Sequence, residues 1–289
     1  MSAAEVTQTD AGAPERVRRA RPSFLASELK LVFGRRRNQL ALVLLAGPPL
    51  LIAIAVKARA GHPDRQGPDF FNSITQNGLF VALAALTIEM GLLLPLATSL
   101  VAGDSVAGEA HGGTLRYLLT VPVARTRLLV VKLAAVVVYI FAGTFIIVIV
   151  GMAAGLALFG GGHMITLSGS TLGTGTGIAR VLLAAAYVGV CLSSLGVVGL
   201  FFSTLTEQPL AAMLVTIVFS TVSFILDTIP QVDWLHPYLI THQWAAFADL
   251  FRDPIDLTNI GHGLYLAVAY GVVAFLAARA RFAAKDVTS

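Results

Sequence analysis

The chain has 289 residues, 56% hydrophobic and only 12% charged, with a mean hydropathy of +0.79. Soluble domains carry about 25% charged residues, so a water-facing surface of this size cannot be built here and the soluble classes are excluded. The net charge of +4 does not indicate nucleic acid as a partner, because the basic residues flank apolar segments and no aromatic-interleaved basic surface occurs.

In chain order, residues 1–21 are polar and lack the apolar stretch of a cleavable signal, so they read as a disordered cytosolic tail. Pro22–Phe33 (PSFLASELKLVF) reads as an amphipathic helix lying on the inner membrane surface. A membrane crossing needs about 20 apolar residues. Segments 38–57, 78–102, 128–159, 178–205, 209–229 and 260–280 qualify, giving six predicted transmembrane helices in an all-α membrane protein. Pro48 and Pro49 predict a kink in the first, since neighbouring helices can satisfy the freed carbonyls. Residues 58–77 read as a polar outer loop.

Glu89 falls at the middle of the second span, where an ionisable group faces a bundle interior or a cavity. Two readings stand: a pathway residue that contacts substrate or a polar partner helix, or a protonated Glu bonded to a neighbouring Thr or Ser. The third span is long enough to tilt or to start among the headgroups. Its Gly151 and Gly155, and Gly189, Ser193, Gly196 and Gly199 of the fourth, allow close helix contact, within one subunit or at a dimer seam. Cys191 is the only cysteine, so an intrachain disulfide is impossible. Residues 160–177 are rich in Gly, Ser and Thr and read as flexible. Their Gly173–Gly177 run (GTGTG) lacks the strand and Lys of a phosphate-binding loop, and is taken as loop.

Thr206–Gln208 predict a tight hairpin between the fourth and fifth spans, and Asp227 marks the outer end of the fifth. Residues 230–259, with Trp234 and Trp244, suit short amphipathic helices in the outer interface. Asp233, His236, His242 and Asp249 in this stretch lack metal-ligand spacing and read as interfacial polar residues, with no metal site.

Fifteen of the 20 Lys and Arg fall on one side when six helices are threaded, which puts both termini in the cytoplasm. The most informative stretch then becomes cytosolic: Gly103–Lys132, GDSVAGEAHGGTLRYLLTVPVARTRLLVVK. Gly112 and Gly113 permit a sharp bend, Thr114 can cap the turn after it, Leu115–Leu119 make that one apolar helical turn and Pro122 ends it. Arg125 and Arg127 then meet lipid headgroups.

This segment resembles the cytosolic element of the ABC type-2 permease family. The residues that carry the likeness are Glu109, Gly113, Thr114, Leu115, Leu118, Leu119, Pro122, Arg125 and Lys132. Where that family usually places a basic-acidic pair, this chain has Ala110, His111 and Gly112. The resemblance implies a permease domain over residues 22–289, forming a substrate pathway as a dimer with a second copy or a homologous permease. It implies a coupling helix seated on a separate ATPase, present in two copies, with Glu109 as a polar contact. It further implies export across the cell membrane, with outer helices gating exit. No Walker-type phosphate loop occurs in the sequence, so ATP and Mg belong to the partner ATPase, and this chain has no catalytic residue and no cofactor of its own. Apolar cavity walls favour a hydrophobic or amphipathic substrate, a drug, antibiotic or lipid. The rival classes are an intramembrane enzyme, which would need a catalytic pair at helical spacing, and a membrane scaffold, which leaves the coupling-like segment unexplained.

Overall fold

The computed structural model describes residues 24–59, 77–113 and 125–284. The N-terminal tail and most of the first loop lie outside them. A helix, α1 (Phe24–Gly34), forms where one was expected, and Arg35 breaks it from α2 (Arg36–Leu45) and α3 (Gly47–Arg59). Together α2 and α3 make one apolar span. The joint falls at Ala46, where the chain reaches Pro48 and Pro49. These have no N–H for the carbonyls of Leu44 and Leu45, so the prolines bend the span without ending it.

The second span departs from the expected single helix. It is two helices, α4 (Leu79–Met90) and α5 (Leu93–His111), bent by 58°. Pro95 explains the break: it cannot donate to the Gly91 carbonyl, and its ring excludes that carbonyl from the helical position. Leu92 takes up the turn at φ −148° and ψ −53°. Helix α5 also runs nine residues beyond the expected end, carrying Asp104 and Glu109 on a rigid rod.

Helix α6 (Arg125–Phe159) has 35 residues. At about 1.5 Å per residue it outreaches an apolar layer of about 30 Å, so one end stands among headgroups. Helix α7 (Thr174–Leu205) begins inside the Gly-Thr run read as a loop, which is corrected here: Thr174–Gly177 form its first turn, with Gly177 N–H on Gly173 O at 2.9 Å. Helices α8 (Pro209–Asp227) and α9 (Thr258–Ala284) complete the bundle. Among the described residues five spans qualify singly by length and apolarity, and the bent pair α4–α5 passes the same test when counted as one. α8 ends at Asp227, as expected.

α7 is the centre of the bundle. Its most apolar window is 72% buried, against 22% for α2–α3, α8 and α9, which lie on the outside of the bundle. In a bilayer, packing replaces the hydrophobic effect as the force between helices, and small residues supply it. A Cβ built on Gly155 would stand 1.9 Å from the carbonyl oxygen of Gly78, and one on Gly151 would stand 2.7 Å from Ala82 Cα. The small residues of α6 and α7 thus serve contacts inside one chain.

At the end of the bundle away from Arg35–Arg37, the Gly/Ser/Thr stretch is structured. Strands β1 (Met164–Ile165) and β2 (Thr171–Leu172) pair antiparallel. They dock on a short 3-10 helix, Trp244–Phe251, through Leu167 N–H to Phe251 O (2.9 Å). Ser170 Oγ donates to Asp253 (2.9 Å), and Arg180 donates to the carbonyls of Leu250 and Arg252. A second 3-10 helix, Pro230–Tyr238, precedes it. Trp234 is 69% exposed, as an interfacial indole should be, whereas Trp244 is buried in the core and departs from that reading. His242 Nδ1 lies 2.6 Å from Asp227, tying this cover to the end of α8.

Candidate functional site

The end of α5 and the start of α6 flank the segment singled out in the sequence. Thr114, Leu115, Leu118, Leu119 and Pro122 lie outside the described residues, so the site is known from its two anchors. On the α5 side, Gly113 adopts φ +68°, with open space where a side chain would be. The demand for glycine there comes from the backbone: a left-handed residue ends the helix as Gly113 N–H bonds Ala110 O at 3.1 Å. The expected bend is present.

Glu109 is 8% exposed and ion-paired with Lys132, itself 3% exposed at the start of α6. Lys132 also lies 3.4 Å from Glu28 of α1. Glu28 is the buried residue of α1, while Leu25 and Leu31 face outward. Helix α1 therefore turns the Glu28 carboxylate inward and these two leucines outward. One ammonium joins α1, α5 and α6.

A second knot sits beside it. Asp104 of α5 pairs with both Arg35 and Arg37 at the start of the first span. A cavity of about 30 Å³ between the two knots is lined by Glu28, Arg35, Asn38, Asp104, Glu109 and Lys132. That is room enough for a water molecule. Three carboxylates face three cations, so the cluster is neutral. Such clusters fix geometry more than they add stability, because desolvation offsets most of the attraction.

Two further contacts hold α5 and α6 in place. Ser203 of α7 inserts into the α5 ladder: its hydroxyl donates to Gly103 O (2.7 Å) and accepts from the N–H groups of Val106 (3.1 Å) and Ala107 (2.8 Å). Arg125, expected among headgroups, donates to the carbonyls of Phe282 (3.3 Å) and Ala283 (3.0 Å) and so caps α9. Each side of the 114–124 segment is thus tied to another span, α7 through Ser203 and α9 through Arg125.

The sequence singled out Glu109, Gly113, Arg125 and Lys132, and the structure places these four at this end of the bundle. It missed Glu28, Asp104, Ser203 and the role of Arg35–Arg37. The acidic residues at 28 and 104 in otherwise apolar surroundings were the available signal. Glu89 stands apart from the cluster, in the last turn of α4 beside the break. It is fully buried, and neither carboxylate oxygen has a hydrogen-bond partner among the described residues. The Thr or Ser bond allowed for in the sequence reading is not found there.

The sequence model of a family described as ABC-2 family transporter protein matches residues 35–223, well over half of the chain. The chain belongs to the ABC-2 transporter family. It is a multi-pass membrane permease of an ABC transporter, and its family works in general with an ABC ATPase. The matched stretch runs from Arg35 to Ser223 and contains both charge knots except Glu28. None of the curated proteins compared with the chain matches it.

Proposed function

We propose that this permease is the transmembrane subunit of an exporter in the cell membrane, driven by a separate ATPase that docks on residues 114–124. The observation that carries the reading is the anchoring of that segment: Glu109 and Lys132 bracket it and bond to each other inside the bundle. A push on the segment would move α5 and α6 together, with α1 following through Glu28 and α9 through Arg125. Two permease halves, identical or homologous, form the pathway above two ATPase copies, which supply ATP and Mg. Both termini are cytoplasmic, following the distribution of Lys and Arg. The 3-10 cover at the opposite end gates exit, and the substrate is hydrophobic or amphipathic, a drug, antibiotic or lipid. Within the coupling set, Gly113 shapes the bend, Thr114 caps the turn, Leu115, Leu118 and Leu119 enter the ATPase groove, and Pro122 closes it.

The test is a detergent pull-down of the tagged permease from native membranes. An ATPase should co-purify and be lost when Leu115, Leu118 and Leu119 are changed to serine. A wild-type chain that purifies without an ATPase would overturn the proposal.

Glu89 is assigned to the pathway, because packing alone disfavours it. A buried polar group without a partner costs about 1–3 kcal/mol. Glu89→Leu is therefore expected to raise the thermal midpoint of the purified permease while transport by the assembled complex falls. A Glu89→Leu variant that transports at the wild-type rate would leave the residue without a transport role.

A further inference from the structure

On the flank of the bundle a groove of about 140 Å³ opens between α2, α5 and the start of α8. Leu44, Leu45, Leu93, Leu96, Ala97 and Met213 line it, and its wall is apolar. It begins one turn above the arginines: Ala41 and Leu44 follow Arg37 by four and seven positions, so the three share a face of α2. From Arg37 to Leu45 the rise is about 12 Å at ~1.5 Å per residue, which lies within one leaflet of an apolar layer of about 30 Å.

The mouth of the groove is positive. Arg35 and Arg37 share one carboxylate, that of Asp104, and Arg36 between them is exposed. Arg35 and Arg37 belong to the neutral cluster around Asp104, Glu28, Glu109 and Lys132, so Arg36 leaves one positive charge in excess at the mouth. Each guanidinium has five N–H donors in a fixed fork, more than a shared carboxylate can use.

The geometry points to a binding site for an anionic phospholipid of the leaflet next to Arg35–Arg37. The phosphate lies on Arg36 and Arg37, and one acyl chain enters the groove. The volume fits that occupant. It is close to the cavity of about 150 Å³ that takes a benzene ring, enough for a chain segment. It is well below the roughly 300–1,000 Å³ of a drug-sized site. The leucine lining also differs from the small-residue surfaces through which membrane helices associate closely, which favours a lipid chain over a second copy of this protein. The site depends on the chain spanning a membrane and is independent of the docking of an ATPase.

The experiment is native mass spectrometry of the purified full-length permease equilibrated with equimolar dioleoylphosphatidylglycerol and dioleoylphosphatidylcholine. The anionic lipid should be retained in preference, at one per chain. Arg36→Gln with Arg37→Gln should lower its retention by about fivefold per charge, while Arg35 stays to hold Asp104. The Arg36→Lys and Arg37→Lys pair should restore it. Ala41→Trp, which fills the groove, should displace both lipids. Equal retention of the two lipids, or a preference that survives the glutamine pair, would overturn the site. So would a Leu44→Cys disulfide dimer that excludes lipid, which would give the groove to a second copy.

Discussion

Lys132→Ala is expected to destabilise the permease by about 3–5 kcal/mol, because it removes the buried ammonium that the Glu28 and Glu109 carboxylates share. The informative comparison is a triple variant, Lys132→Met with Glu28→Gln and Glu109→Gln. Neutral groups of similar volume remove attraction and desolvation cost together, and replacement of a buried ion cluster in this way is commonly neutral or stabilising. The two variants should therefore separate in thermal unfolding: the alanine variant melts early and the triple variant near wild type. A Lys132→Ala protein as stable as wild type would contradict the buried ammonium. Function divides differently. The triple variant keeps its fold but loses the charged joint between α1, α5 and α6. In the assembled complex it should show ATP hydrolysis that no longer scales with transport.

The membrane class and the five to six candidate crossings were legible because they rest on long apolar runs, and no soluble fold accommodates those. What escaped was local. Pro95 was visible, yet the apolar run around it hid the break at Gly91–Leu92, since hydropathy does not register a missing N–H. The GTGTG run was taken as a loop because glycine and threonine are poor helix formers, but tertiary packing overrode propensity: Gly177 lies so close to Leu79 that a Cβ would stand 2.8 Å from its Cδ1. The charge knots escaped for another reason. Glu28 and Lys132 are 104 positions apart, and nothing in one sequence states that α1 folds against α6. Counting arginines gave an orientation but could not tell which meet lipid and which, like Arg35 and Arg37, close on a carboxylate.

The closest helix contact yields the second large effect. At Gly155 even one added methyl would stand 1.9 Å from the Gly78 carbonyl oxygen and 2.7 Å from its carbon, and both obstacles are backbone. A flexible side chain could move aside, but here α6 must separate from the start of α4. Overpacking of this kind costs about 1–3 kcal/mol, occasionally more, and in lipid no hydrophobic gain offsets the lost contacts along Gly151 and Ala82. Gly271 in α9 provides the control. A Cβ there meets nothing within 4 Å, so Gly271→Ala should gain about 0.5–1 kcal/mol from helix propensity alone. The same chemical change is thus expected to lower the melting temperature at position 155 and to raise it at position 271. Equal shifts at the two sites would mean that α4 and α6 are not held at backbone contact. A loss confined to Gly155→Ala would mean that the bent second span is braced at its far end by α6. The break at Gly91–Leu92 would then be the place where a push delivered through Glu109 is taken up.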